Sequence, residues 1–402
     1  MSTIRSVALL CVGVVALRAF YVLHPLRSDE GGYLLIARQW HSGGEFLYGD
    51  YHVDRPPLLL AIFRLAAATE WDPAIRVLTI PFAVLFVVAA ARAAHLVAGR
   101  RAAPWAALVA AALVSSPALA ADQADGELFA VPFVMGSVAL VLDARRRLPG
   151  HAQLWLAFAA GVLASGASLV KQNFLEGFVF AGVLVAADVY RRRGVGTGTK
   201  IVATGLAIGA LVPYAGVAVW ARAAGFDGTQ VWSDLVTFRG DAFSVIWQRP
   251  DASIERGLTL LLLALASGLI LVLATWVLAL RDPVLRNTPE TWAIAGTLAF
   301  GLAGIVAGGS YWLHYLLELA PMASLAAGVV AASGVGAGLW MRRWSRFSAF
   351  SALAACLVIG LVYATVPWPS NQQRVGEWLA GSSVDGDTAV VAYGNASVLE
   401  TA

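Results

Sequence analysis

Lysine is almost absent from this chain, with Lys171 and Lys200 the only two among 28 basic residues. Cysteine is equally scarce: Cys11 and Cys356 both lie inside apolar runs, where a small buried hydrophobe is the plain reading and no disulfide framework is implied. Charge of either sign is thin, at 13% of 402 residues, which is too little to cover the surface of a soluble protein of this size. What fills the gap is hydrocarbon: 59% of the residues are hydrophobic and the mean hydropathy is +0.72. A bilayer core of roughly 30 Å needs about 20 apolar residues per helical crossing, and the chain offers many runs of that length. The composition therefore describes an all-α polytopic membrane protein.

The runs place spans at 4–23, 74–98, 103–121, 127–143, 153–170, 173–190, 200–222, 257–280, 290–308, 311–332 and 347–366, about eleven transmembrane helices. Arg100 with Arg101, Arg145 to Arg147, Arg191 to Arg193, Arg281 with Arg286, and Arg342 with Arg343 fall in alternate short loops. The positive-inside rule makes those loops cytoplasmic. The 28–72 loop, the 122–126 turn, the turn at Lys171, the 223–256 loop and the C-terminal segment then face outward. No small-residue cleavage site follows the first run, so it reads as an uncleaved first span. The formal net charge of +3 comes mainly from the cytoplasmic clusters, which suit anionic lipid headgroups and call for no nucleic acid.

Against this background the first outer loop stands out, because it gathers acidic, basic and aromatic residues. Tyr33, Leu34, Ala37 and Trp40 recur at helical spacing behind Asp29 and Glu30, which describes an amphipathic helix in the membrane interface with its acids at the N-terminal turn. Gly43 and Gly44 end it, Tyr48 to Asp54 make an irregular polar strip, and Pro56 and Pro57 start a second helix reaching to about Ala68. Taken alone, the Asp29–Glu30 pair reads more readily as a solvated helix cap.

The sequence DE at 29–30, Tyr33, Ala37, Gly44 and then LYGDYHVDRPPL over 47–58 resembles the first outer loop of the GT-C superfamily of polyprenyl-phosphate-dependent glycosyltransferases, in the protein O-mannosyltransferase and aminoarabinose-transferase branch. Looser matches are the turn DQADGE before the fourth span, Lys171 with Gln172, and SYWLHYLLELAP from Ser310 to Pro321. The resemblance covers roughly residues 5–330, and only the first loop is specific. It implies a donor sugar carried on a polyprenyl phosphate, transfer to an acceptor hydroxyl on a protein, lipid or glycan at the outer face of the plasma (inner) membrane, and inversion at the anomeric carbon. Asp29 is then the general base. Arg55 and Lys171 are the cations for the leaving phosphate. Glu30, Tyr33, Asp122, Asp125, Glu127, Gln172, His314 and Tyr315 are candidates for binding donor or acceptor. Glu318, one turn deeper in a span, is a functional candidate because a carboxylate there is costly.

Some relatives bind a divalent cation on carboxylates, and Asp29 with Asp122 or Asp125 leaves room for one. The residues themselves carry no metal signature: His24, His41 and His52 lack HxxxH or CxxC spacing. GVGTGTK, from Gly194 to Lys200, follows an apolar run and an Arg cluster and reads as a linker rather than a phosphate loop. The 223–256 loop, with Trp232, Phe238, Arg239, Trp247 and Arg249, is suited to a sugar, a headgroup or an interface anchor. Asn395-Ala-Ser is a formal glycosylation triplet. Residues 1–366 thus form one transmembrane catalytic domain, and 367–402 a short outer segment with TAVVAYG as a strand, where many relatives carry a sizeable soluble domain. The segment reads as a truncated or vestigial form of it. A transporter or flippase of a lipid-linked sugar is the alternative, but its ionisable residues would cluster mid-span and its halves would repeat. A nonenzymatic envelope assembly partner would leave the DE pair unexplained.

Overall fold

The structure, a computed structural model, describes residues 2–40, 47–48, 53–246, 248, 250–334, 336–365, 371–382 and 384. Among them the chain is helical throughout, with no β-strand. In order the helices are α1 (Thr3–Tyr21), α2 (Ser28–Gln39), α3 (Pro57–Ala67), α4 (Ala74–Ala98), α5 (Ala103–Leu113), α6 (Gly126–Arg146), α7 (His151–Val170), α8 (Glu176–Arg192) and α9 (Thr197–Ala223). They continue with α10 (Gly228–Trp232), α11 (Phe238–Ile246), α12 (Pro250–Ala266), α13 (Leu269–Ala279), α14 (Pro283–Arg286), α15 (Pro289–Gly308), α16 (Ala320–Ala332), α17 (Ala337–Thr365) and α18 (Asn371–Ser382). A 3₁₀ segment, Leu313–Leu319, leads into α16.

Among the described residues eight helical segments are long and apolar enough to cross a membrane, or nine if α12 and α13, bent by 71°, count as one. The two remaining expected spans are shorter. The 103–121 stretch is helical only to Leu113, because Pro117 holds Ser116 extended and offers no N–H to continue the ladder. The 173–190 stretch starts late, at Glu176, because Lys171 leaves α7 in an extended conformation. The bend between α12 and α13 falls at Gly268, whose φ of +81° suits glycine and where a Cβ would stand 2.4 Å from Ser348 Oγ.

Packing sorts the spans into two kinds. The windows of α6 and of Leu313–Ala332 are 78% and 89% buried, whereas those of α1, α9 and α17 are 11%, 17% and 17% buried. An apolar helix left that open in a bundle is one that meets lipid. α7 and α9 approach closely through glycine: a Cβ on Gly209 would stand 2.0 Å from Phe158 O, and one on Gly161 2.3 Å from Leu206 O.

The 223–256 stretch, expected as a loop, is largely helical: α10, a π turn Ser233–Thr237 and α11 follow one another. Its apolar residues fold back on the first loop, where Leu47, Tyr48, Val53 and Leu60 bury against Trp220, Phe226, Val231 and Leu235. Gly43, Gly44, His41, His52, part of the 48–54 polar strip, Trp247, Arg249, the 388–394 strand and the Asn395 triplet lie outside the described residues.

Candidate functional site

Asp29 and Glu30 occupy the first turn of α2, where carboxylates complement the exposed amides and the helix dipole. Successive helical residues point about 100° apart, so the two acids meet different surroundings. Glu30 is fully buried. It accepts from its own N-cap amide, Arg27 N, at 2.8 Å, from Ala124 N at 2.8 Å, and from Arg76 Nε and Nη2 at 2.8 and 2.7 Å. Arg76 spends its remaining donors on the carbonyls of Tyr21, His24 and Pro25, so all five of its N–H groups are used. Glu30 is therefore a brace joining α2, α4 and the 122–125 turn. Asp29 keeps 48% of its side chain exposed and has Arg55 Nη2 at 4.0 Å.

Arg55 precedes Pro56 and Pro57, which fix the entry to α3 and hold the arginine beside α2. Its guanidinium lies over the Tyr33 ring, 5.4 Å from the centroid, and 2.6 Å from Asp54 Oδ2. Burial works against the Arg55 charge, but Tyr33, Asp54, Asp29 and Glu127 around it more than offset that and hold its pKa above the usual value. Burial likewise pushes the Tyr33 hydroxyl well above its usual range, against the pull of Arg55, so it stays protonated as a hydrogen-bond donor. Asp54 reaches a second arginine, Arg239, whose Nη2 lies 2.7 Å from Asp54 Oδ2. Gln172 Nε2 donates to the Asp54 carbonyl at 3.1 Å.

A second polar group is assembled from three chain segments. Glu127 in the first turn of α6 pairs with Lys171 at the end of α7 and lies 3.5 Å from His314 Nε2. His314 Nδ1 is 3.2 Å from Asp125 Oδ2, and the Lys171 ammonium sits 4.7 Å from the centre of the Tyr315 ring. Burial raises the Asp125 carboxyl, opposed by His314. Burial also raises Asp122, opposed by Arg27 and Arg76. Asn173 donates to Glu318 Oε2 at 2.8 Å.

Lys171, Gln172, Asn173, Arg239, Tyr315 and Glu318 line a cavity of about 600 Å³ that also carries apolar residues of α11 and α15. A second, apolar cleft of about 340 Å³ runs beside it between Tyr48, Pro57, Tyr214, Trp220 and Trp232. Gln172, Leu235 and Val236 line both, so the cavity that carries the charged residues and the apolar cleft share a wall.

The structure thus gathers Asp29, Tyr33, Arg55, Gln172, Asp125, Glu127, Lys171, His314 and Tyr315 at one end of the bundle, around the first loop and the cavity. Of these, Lys171, Gln172 and Tyr315 line the cavity itself. Glu30 is committed to Arg76, and Asp122 is buried with Arg27 and Arg76 as its strongest cationic neighbours. Sequence reasoning missed Arg76, Asp54 and Asn173. Arg76 carried a usable signal, since a lone arginine just inside an apolar span needs a partner. Among the described residues no three His, Cys, Asp or Glu side chains converge in a metal-holding arrangement.

No family model and no curated protein matches the chain. Solved structures do. ArnT from Cupriavidus metallidurans superposes in its apo state with a TM-score of 0.64 at 16% identity, over 97% of this chain and 83% of that one. The same protein bound to undecaprenyl phosphate gives 0.60 at 17% identity over the same shares. The apo oligosaccharyltransferase of Archaeoglobus fulgidus gives 0.60 at 16% identity, over 96% of this chain and 58% of that one. The chain thus spans less than two thirds of the archaeal protein and most of the bacterial one. The chain shares the fold of these solved structures.

Proposed function

We propose that the protein is an integral-membrane, inverting glycosyltransferase that moves a hexosyl or pentosyl group from a polyprenyl-phosphate donor to an acceptor hydroxyl, at the extracytoplasmic face of the plasma membrane. The observation that carries the reading is the half-open carboxylate of Asp29 facing Arg55, with Asp54 linking Arg55 to the cavity-lining Arg239. A sugar with its phosphate suits the cavity that carries Lys171 and Arg239. An isoprenoid tail suits the apolar cleft that shares a wall with it.

In this reading the acceptor oxygen forms a bond to the anomeric carbon as its proton passes to Asp29. The bond from that carbon to the phosphate oxygen breaks on the opposite side, and polyprenyl phosphate leaves with the electron pair. Arg55, supported by Lys171, stabilises the charge that grows on the phosphate, which in a partly dehydrated site contributes more than in water. Tyr33 holds the Arg55 fork in place from below its ring face.

The test is sugar transfer by the purified protein in nanodiscs with a panel of polyprenyl-phosphate sugars, with Asp29→Asn alongside. Release of polyprenyl phosphate from one donor, reduced about 10²- to 10⁴-fold in Asp29→Asn, is the expected result. Turnover that survives Asp29→Asn would remove the base from Asp29. No turnover with any donor, but donor movement across liposomes, would replace the transferase by a flippase.

A further inference from the structure

Asp54 takes no part in the transfer described above, yet it stands between the arginine beside Asp29 and the arginine that lines the cavity. A single oxygen, Oδ2, lies 2.6 Å from Arg55 Nη1 and 2.7 Å from Arg239 Nη2. The Asp54 carbonyl collects Gln172 Nε2 at 3.1 Å and Arg239 Nη2 at 3.4 Å, so the backbone holds both neighbours independently of the carboxylate. Unlike Glu30, Asp54 is not sealed in: 24% of its side chain is exposed. It also sits in an irregular segment.

Two guanidinium groups converging on one oxygen is how a phosphate is bound, and a phosphate offers more oxygens and more charge than a carboxylate. Without an anion between them, two cations at this spacing repel and would splay apart. We infer that Asp54 is a stand-in anion: it keeps Arg55 and Arg239 converged between turnovers and yields them to the phosphate group of the lipid. Arg239 then joins Arg55 as a phosphate ligand, and Asp54 is a positioning residue that acts through both. When lipid monophosphate is released, the carboxylate returns to the arginines and competes against rebinding. The inference rests on the transferase reading for whose phosphate this is; the anion exchange itself needs no chemistry.

The test is equilibrium binding of farnesyl phosphate to the full-length protein in nanodiscs, with farnesol as the uncharged control and inorganic phosphate as the free-anion arm. Asp54→Asn removes the competing charge and is expected to tighten farnesyl phosphate about tenfold, while Arg239→Gln weakens it about tenfold. In the double variant the gain from Asp54→Asn disappears, because it acts through Arg239. A purely structural brace predicts the reverse for Asp54→Asn: weaker binding and a lower unfolding temperature. Equal or weaker binding in Asp54→Asn, or a gain that survives Arg239→Gln, overturns the inference. The Arg239→Gln arm stands without Asp54, so unchanged binding there overturns it even if Asp54→Asn does not fold. Tightening seen for inorganic phosphate but not for farnesyl phosphate overturns the assignment to lipid. The expected binding pattern without turnover of any donor sinks the transferase and leaves the exchange intact. With turnover, Asp54→Asn lowers KM and kcat together as product leaves more slowly.

Discussion

The two ends of α6 carry ionic clusters of opposite design. At the Gly126 end, Glu127 pairs with Lys171 and lies beside His314, and Lys171 also lines the 600 Å³ cavity with Tyr315, Asn173 and Glu318. At the Arg146 end, Arg145 holds Asp188 with Nε and Nη2 at 2.9 and 2.7 Å and Glu290 with Nη1 at 2.6 Å. That second cluster ties α6, α8 and α15 together and closes on itself. Twenty-one residues of helix span about 30 Å, close to the hydrocarbon thickness of a bilayer, so the two clusters would sit near opposite membrane surfaces. The same device, a charged side chain shared by several helices, closes on itself at one end and at the other leaves Lys171 on the wall of a cavity.

The contrast is broken most severely at the cavity end. Lys171→Met leaves Glu127 buried without its ammonium. A loss of about 3–5 kcal/mol in stability is expected, with transfer reduced at least a hundredfold. Unfolding in detergent and donor turnover, measured on the same preparation, would show both; a stable variant with normal turnover would deny the cavity end its role. Glu30→Gln should match it in stability, at about 3–5 kcal/mol, because it breaks the buried pair with Arg76. Its neighbour Asp29→Asn should leave the unfolding midpoint unchanged. If the two variants unfold alike, the division between a bracing and a reacting acid fails.

Smaller effects sharpen the comparison from the other end. Arg145→Met removes a partly exposed network and should cost about 1–2 kcal/mol, with kcat/KM preserved within about twofold. A selective loss of turnover there would mean that the closed cluster also communicates with the site. Arg92→Ala removes an exposed pair with Asp143, Nη2 to Oδ2 at 2.8 Å, and should change stability by less than about 1 kcal/mol. An effect above that in a salt titration would show the pair to be less screened than its exposure implies.

Much of the site was legible in the loop itself. Asp29 and Glu30 could be placed on the first turn of a helix because acids behind an apolar periodicity mark an N-terminus, and Pro56 with Pro57 marked the start of the next. The pattern could not say which acid is braced. Residues 100° apart on a helix read alike in one dimension, and only Arg76, 46 positions on, turns Glu30 into a brace. Asp54 and Arg239 are further apart still, and their bridge exists because the segment from Gly228 to Ile246 folds back as helix over the first loop.

Hydropathy by itself determined the class, an all-helical membrane protein, because a backbone in hydrocarbon must satisfy its own hydrogen bonds and a helix does so within one segment. It also located the polar loop that such a protein would keep at an interface. Hydropathy did not decide how many runs form full-length helices, since Pro117 and the extended Lys171 act through local geometry that a hydropathy window averages away. Tertiary structure alone decided which charges meet, because ion pairing depends on distances of a few ångströms between segments that the sequence holds tens to hundreds of residues apart.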